Sequence, residues 1–267
     1  MKNVKVLTFN TWGIPFNSTK KARIGALSNH IKKLDVDIIL LQELWELKDY
    51  NTIVKECGYP YVTEYGRFPY IGNYAGMAIL SKYPIVKTEK IDYHWRGLIP
   101  DYVKAAMHSE IIVAGRKISV FNTHLTANLK VSLGNEHNLF GKIMFTSDYE
   151  EETRWDQLKT LTKHINKALR PGHAVILGGD LNCGAQYKLW YRWEDLLRIR
   201  YKDLYNTMSY TKGLPSTYKN KFAGQNQGQL DHIIGFGGAE VLKSKVIFKT
   251  THLSDHFGVL STVALPH

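Results

Sequence analysis

The sequence predicts a layered fold of mixed α/β or α+β type rather than a regularly alternating parallel barrel. Two observations carry this: short apolar runs of strand length recur along the chain, and the helical patterns are few and fall between groups of strands. A third concerns function. Several of the runs close abruptly on polar residues, so buried strands deliver charged and amide groups to a surface.

The strand-like runs are Val4 to Asn10, Ile38 to Gln42, Ala75 to Leu80, Met107 to Val113, Lys117 to Asn122, Ala174 to Gly178, Gln229 to Ile234 and Gly258 to Leu265, enough for at least one large sheet. Ile24, Leu27, Ile31 and Leu34 recur at spacings of 3, 4 and 3, and Trp155, Leu158, Leu161, Ile165 and Leu169 at 3, 3, 4 and 4. Each set forms one apolar face of an amphipathic helix. The second helix follows the acidic run Asp148 to Glu152, which suits a helix N-terminus, and stops before Pro171-Gly172. With no internal repeat, low-complexity tract or Pro/Gly/Ser-rich linker, residues 1–267 read as a single domain. The least regular stretch, Asn128 to Tyr149, places Phe140, Ile143, Met144 and Phe145 beside Lys142, a composition suited to a covering flap or a membrane-touching hairpin.

Composition sets outer limits. The 267 residues are 44% hydrophobic and 22% charged, which is ordinary for a globular chain. A net charge of +11 and a sequence pI near 9.4 favour polyanionic partners, either nucleic acid or an anionic membrane surface. The basic residues are scattered, densest at Lys20-Lys21, Lys32-Lys33 and Lys243 to Lys249, and no polybasic arm stands out. Cys57 and Cys183 are too few for a disulfide framework and match no zinc spacing, so both are expected as free thiols. The N-terminus enters Val4-Lys5-Val6-Leu7 without a signal-type apolar region, and no run approaches the ~18 residues of a membrane span. The expectation is a soluble protein, cytoplasmic or secreted after loss of a signal, touching membranes peripherally.

The polar strand ends carry the chemistry. Val6 to Phe9 closes on Asn10, Ile38 to Gln42 on Glu43, Ile118 to Thr123 on His124, and Ala174 to Gly179 on Asp180-Leu181-Asn182. Ser254-Asp255-His256 precedes the last strand, and Asp231 lies in Gln229 to Ile234. Strand alternation places Asp180 and Asn182 on one face, although Gly-Asp-x-Asn alone also reads as a strand followed by an Asx turn. Taken together, a carboxylate such as Glu43 with amide or water ligands suits Mg²⁺, with Mn²⁺ as the alternative, and no cysteine or multi-histidine cluster competes for zinc. One histidine can deprotonate water while a carboxylate fixes its tautomer, and a second histidine and an asparagine can donate to phosphate oxygens.

These residues, in their order and contexts, resemble a known family. Phe9-Asn10-Thr11-Trp12, Leu41-Gln42-Glu43, Met77-Ala78-Ile79-Leu80-Ser81-Lys82-Tyr83-Pro84-Ile85, Asn122-Thr123-His124, Gly179-Asp180-Leu181-Asn182, Leu230-Asp231-His232 and Ser254-Asp255-His256 are similar to the successive motifs of the endonuclease/exonuclease/phosphatase superfamily. Asn10-Thr11-Trp12-Gly13-Ile14-Pro15 and Leu41-Gln42-Glu43-Leu44-Trp45 look most like its neutral, Mg²⁺-dependent sphingomyelinases, which are phospholipase C-type enzymes. The segment Pro100 to Ala106 departs from that pattern: its glycines are missing and Asp101 and Lys104 stand closer together.

The resemblance implies a four-layer α/β/β/α sandwich, two mixed sheets flanked by helices, with the active site at one end. It implies Glu43 as the direct Mg²⁺ ligand, Asn10 beside it, and His256 as general base oriented by Asp231. It further implies His124 and Asn182 as donors to phosphate oxygens, His124 with Asp255 as its partner, and Asp180 as the group placing the nucleophile or assisting the leaving oxygen. The expected substrate is a phosphodiester at a phospholipid membrane surface, with sphingomyelin giving ceramide and phosphocholine. Trp12, Tyr65, Tyr74 and Trp95 are candidates for a quaternary ammonium head group, Lys104 for a substrate contact, and Phe140 and Phe145 for the bilayer. A nuclease acting on nucleic acid, a phosphoinositide or phosphomonoester phosphatase, and a catalytically dead binding module are the alternatives; no protein partner is inferred.

Overall fold

The computed structural model describes residues 2–13, 19–68, 72–73, 75–93, 104–127, 147–184, 186–218 and 228–266. Two six-stranded mixed sheets dominate it. The first runs in the order β13 (Glu240–Ile247), β14 (Gly258–Leu265), β1 (Lys2–Asn10), β2 (Ile38–Gln42), β6 (Ala78–Ser81) and β3 (Tyr61–Glu64). The second runs β11 (Ser209–Tyr210), β12 (Asp231–Phe236), β10 (Val175–Asp180), β9 (Arg116–His124), β8 (Ala105–Val113) and β7 (Ile85–Asp92). A short pair, β4 (Arg67–Phe68) with β5 (Gly72–Asn73), stands apart.

Alternation along each strand builds the layers. Val4, Val6, Ile38, Leu40, Ile79, Ile118, Val120, Ile176, Ile233 and Val263 meet in one core between the sheets. The odd residues of β1 and β2, Leu7, Phe9, Ile39 and Leu41, point outward and pack under α1 (Lys20–Leu34) and α2 (Leu47–Cys57) through Ile24, Leu27, Ile31 and Ile53. Phe121, Val175, Leu177, Ile234 and Phe236 do the same under α3 (Ser147–Ala168) and α4 (Lys188–Arg200), through Leu158, Leu161, Ile165, Trp190, Trp193 and Leu197. A last short helix, α5 (Lys202–Thr207), adds Leu204 to that core. The four-layer sandwich is therefore as the resemblance implies. Strands β2, β10 and β12 are buried at every position because both faces are covered, which is why they read as unbroken apolar runs.

Some expectations need correction. The strand expected over Ala75 to Leu80 begins at Ala78, because Gly76 takes a left-handed turn (φ 60°) and its carbonyl accepts the Leu44 N–H at 2.7 Å. Helices are also more numerous than the sequence reading allowed. Helix α2 carries Tyr50, Ile53, Val54 and Cys57 at helical spacing, and α4 carries Leu189, Trp190, Trp193 and Leu197. The edge strands β3, β7 and β13 were missed for another reason: half-exposed and threaded with Lys, Glu and Thr, they never form an apolar run. Helix α3 starts at Ser147, inside the stretch read as an irregular excursion. The remainder of that stretch, with Phe140, Lys142, Ile143, Met144 and Phe145, lies outside the described residues, as do Tyr74, Trp95 and Asp101. None of the described helices is long and apolar enough to cross a membrane. Cys57 and Cys183 are free thiols.

A buried amide pair pins the two sheets together. Gln42 Nε2 donates to Asn122 Oδ1 at 2.7 Å, and Asn122 Nδ2 donates to the carbonyls of Leu41 and Ala78 at 2.9 and 3.0 Å. Both side chains are fully buried. Asn122→Ala takes the side-chain donor from two buried carbonyls and removes the cross-sheet acceptor, while Gln42 Nε2 keeps Thr8 Oγ1 and the Leu40 carbonyl at 3.0 and 3.2 Å, so urea unfolding should show a loss of about 2 kcal/mol. A loss below about 1 kcal/mol would mean that the pin contributes little.

Candidate active site

Strand direction gathers the polar residues at one end of the sandwich. Strands β1 and β2 are parallel, as are β9 and β10, so Asn10, Glu43, His124 and Asp180 all sit at strand exits. Strands β14, β12 and β8 run antiparallel to those neighbours, and their entries bring His256, Asp231 and Lys104 to the same rim. Register is direct: Asp180 lies opposite His124 on one side and Asp231 on the other, and His124 lies opposite Ala105. Asn10, His124, Asp180 and Asp231 continue the inward-facing series of their strands, so they occupy the mouth of the gap between the sheets.

The contacts span that gap. Asn10 Nδ2 donates to Glu43 Oε1 at 3.2 Å and to Asp180 Oδ2, on the opposite sheet, at 3.1 Å. His256 Nδ1 is 2.9 Å from Asp231 Oδ2, and its Nε2 faces Asp180 Oδ2 at 3.7 Å. His124 Nε2 lies 3.5 Å from Asp180 Oδ2 and 3.8 Å from Glu43 Oε1. Lys104 Nζ approaches the same ring nitrogen at 2.6 Å. Thr217 Oγ1 accepts the backbone N–H groups of Leu230 and Asp231 at 2.8 and 3.0 Å, fixing the entry of β12.

Three non-glycine residues at these exits have left-handed backbones: Trp12 (φ 48°), Glu43 (φ 56°) and Asn182 (φ 46°). The conformation costs a non-glycine residue about 1–2 kcal/mol, and neighbouring hydrogen bonds hold it. Trp12 N–H donates to Asn10 Oδ1 at 3.0 Å, and Gly13 N–H to the Glu43 carbonyl at 3.0 Å. A Cβ at Gly13 would stand 2.2 Å from that carbonyl oxygen, so only glycine fits there.

Electrostatics separates the two histidines. Burial pushes His124 well below its ordinary pKa, with Lys104 and His256 adding to the effect, so it is neutral at pH 7. Burial acts the same way on His256, but Asp231, Asp180 and Asp255 together outweigh it and raise the ring above its ordinary value. Burial also raises the Glu43 carboxyl, against the pull of Lys104.

The residues present fit a hard divalent cation. Carboxylate oxygens of Glu43 and Asp180 converge on one Asn10 amide, and Asp180, Asp231 and His256 offer ligand atoms within 4.8 Å of one another. The buried Asp231 Oδ1 has no hydrogen-bond partner among the described residues. An oxygen-rich, negatively weighted pocket of this kind suits Mg²⁺ rather than zinc.

Structure and sequence reading differ on several side chains. Asn182 lies beyond the end of β10, so strand alternation does not govern it; its N–H closes an Asx turn on Asp180 Oδ1 at 2.9 Å and its Nδ2 donates to the Leu125 carbonyl at 2.9 Å. His124 is paired with Lys104 and the Asp180 side, whereas Asp255 Oδ1 accepts from Ser254 Oγ at 3.2 Å. Tyr65 is buried and donates to Asp92 Oδ1 at 2.5 Å, which removes it from the head-group candidates. Trp12 stays half-buried at the rim, with the Arg23 guanidinium 4.9 Å from its ring centroid. Lys104 sits directly on His124 despite its unusual sequence context. Sequence reasoning missed Arg23, whose charge masks its place in register with Leu27 and Ile31 on the buried side of α1, and Thr217, which precedes β12 without a signal.

Fold and site together define a layered α/β protein that gathers carboxylates, histidines and an amide at one end of paired sheets. The chain belongs to the Endonuclease/Exonuclease/phosphatase family, whose pattern it matches over residues 7–256. It is 32% identical over 191 residues to the inositol phosphosphingolipids phospholipase C of Schizosaccharomyces pombe, covering 67% of this chain and 41% of that protein. It is 27% identical over 293 residues to the "Putative neutral sphingomyelinase" of Drosophila melanogaster, covering 98% of this chain and 61% of that protein. The chain thus spans about half the length of these relatives. Among solved structures, SmcL superposes with a TM-score of 0.75 at 18% identity, covering 98% of this chain and 99% of that one. A Staphylococcus aureus beta toxin variant with bound magnesium ions gives 0.70 at 17%, covering 97% and 99%. D. rerio TDP2 complexed with a single-strand DNA product gives 0.71 at 14%, covering 99% and 100%. The beta toxin and DNA-bound TDP2 superpose about equally, so the fold alone does not select the substrate.

Proposed function

We propose that this chain is a Mg²⁺-dependent phosphodiesterase that hydrolyses a phosphosphingolipid head group, with sphingomyelin cleaved to ceramide and phosphocholine. The observation that carries the reaction type is the His256–Asp231 pair, 2.9 Å apart, facing Asp180 across from Glu43 and Asn10. The substrate class rests on the phosphosphingolipid and sphingomyelin activities in the names of the two relatives.

The residues divide the work. Asp231 takes the His256 Nδ1 proton in a hydrogen bond and leaves Nε2 to accept a proton from water, beside Asp180 Oδ2. That water attacks phosphorus, the bond to the ceramide oxygen breaks, and the departing alkoxide takes up a proton from solvent, to which His256 Nε2 returns the one it accepted. Neutral His124 with Lys104 beside it, and the remaining Asn182 amide hydrogen, supply donors for the non-bridging oxygens as charge develops. Glu43 would hold the cation with Asn10 alongside; when bound it supplies charge stabilisation at the phosphate and the leaving oxygen. Trp12, half-buried at the rim, is the proposed contact for a choline group, on the ring face opposite the Arg23 guanidinium.

The test is an assay of the purified protein, with Mg²⁺ or EDTA, on sphingomyelin and phosphatidylcholine liposomes, duplex and abasic DNA, and inositol phosphates. Phosphocholine released from sphingomyelin only with Mg²⁺ is the expected result. DNA cleavage without phosphocholine release, as the likeness to TDP2 and the net charge of +11 would favour, sinks the lipid reading. Full activity in EDTA sinks the metal assignment.

A further inference from the structure

The site's first half, around Asn10 and Glu43, and its base, His256, reach the rim from opposite ends of the chain. A single side chain outside the site touches both supporting loops. Arg23, on the first turn of α1, is 8% exposed. Its Nη1 donates to the Thr11 carbonyl at 3.0 Å and to the Leu253 carbonyl at 2.8 Å, and its Nη2 donates to the Trp12 carbonyl at 2.9 Å. Its Nε donates to Thr19 Oγ1 at 3.2 Å. Thr11 and Trp12 follow Asn10 directly, and Leu253 precedes Asp255 and His256. The guanidinium lies over the Trp12 ring at 4.9 Å, and Asp255 and Asp49 are the carboxylates that act on its charge.

We infer that Arg23 is a positioning residue that sets the span between the loop carrying Asn10 and the loop carrying His256. The inference rests on the hydrolytic reading above and adds a determinant to it. Three backbone carbonyls on two loops converge on one planar fork, a geometry that a lysine ammonium cannot reproduce. Hydrolysis needs the base, the phosphorus and the leaving oxygen aligned, and a displacement of about 1 Å costs about 100-fold in rate. Such a displacement acts on turnover more than on substrate affinity, because Arg23 itself does not face the substrate.

Arg23→Met, Arg23→Lys and Arg23→Ala are compared with wild type on sphingomyelin liposomes and on bis(p-nitrophenyl) phosphate, together with thermal unfolding and calorimetric Mg²⁺ binding. Arg23→Met should lose about 100-fold in kcat with KM within about threefold, and Arg23→Lys about tenfold. Millimolar guanidinium ion should restore part of the Arg23→Ala rate, which a purely structural lesion would not allow. Unchanged kcat with a lowered melting temperature in either Met or Lys variant overturns the inference, and so does a change confined to KM. If Arg23→Met does not fold, Arg23→Lys carries the comparison. Wild type inactive on both substrates would refute the hydrolytic reading separately; Mg²⁺ affinity then decides, a roughly tenfold weakening in Arg23→Met supporting the role and equal affinity overturning it.

Discussion

Replacement of His256 by alanine is expected to lower kcat/KM by about 10²–10⁴-fold, the usual worth of a positioned general base. The ring is buried, its Nδ1 is held by Asp231 at 2.9 Å, and its Nε2 points at the rim. Asp231→Asn gives the finer test, because it leaves the shape and removes the charge. Burial lowers the His256 pKa, and the carboxylates of Asp231, Asp180 and Asp255 raise it by more, so the ring must lose a proton before it can accept one. Activity should therefore rise with pH on an acid limb, and Asp231→Asn should move that limb to lower pH. The same shift has a signature in folding. A histidine whose folded pKa is raised contributes stability that is complete below its ordinary value near 6.5 and is lost as pH climbs through the raised value. In EDTA, the wild type should lose stability over that range and His256→Ala should not. An acid limb that stays in place in Asp231→Asn would remove Asp231 from the orienting role.

Glu43→Gln is expected to abolish Mg²⁺-dependent turnover, a loss of about 10³-fold or more if the cation supplies several kcal/mol to the transition state. Stability should move the other way. Burial raises the Glu43 carboxyl, so the ionised form is disfavoured in the cation-free fold and carries a penalty that grows as pH rises from the ordinary value near 4.5 and is complete above the raised folded value. The isosteric amide removes that penalty and can still accept from Asn10 Nδ2. In EDTA the variant should melt above wild type, whereas only wild type should gain melting temperature on adding Mg²⁺. A variant that still melts higher with Mg²⁺ would place the cation elsewhere, around Asp180, Asp231 and His256.

Much of the central fold was legible because fully covered strands leave no polar face. Ile38–Gln42, buried at every position, could be read to the residue for that reason, and so could Gly258–Leu265, buried everywhere but at Thr262. The edge strands were hidden by the lysines and glutamates that protect them, and α2 and α4 were overlooked although their apolar spacing was present. Site membership was equally readable at strand exits: Asn10, Glu43, His124 and Asp180 each follow an apolar run. Pairings were not. That His124 meets Lys104 rather than Asp255 depends on which strands adjoin, and β8 entering beside β9 is a fact of topology. Asn182 shows a subtler limit, since its left-handed backbone breaks the alternation that put it on the face of Asp180.

Asn10 with Asp180, His124 with Glu43, and His256 with both Asp180 and Asp231 all pair one sheet with the other. Each sheet alone carries an inert half of the reagents, like one jaw of a vice. Under the proposed hydrolysis, turnover is thus a strain gauge for the sandwich: slippage of the jaws by about 1 Å would cost about 100-fold in rate while every strand, helix and hydrophobic layer persisted. Substitutions deep in the inter-sheet packing, remote from any substrate, belong to the enzymology of this protein as much as to its folding.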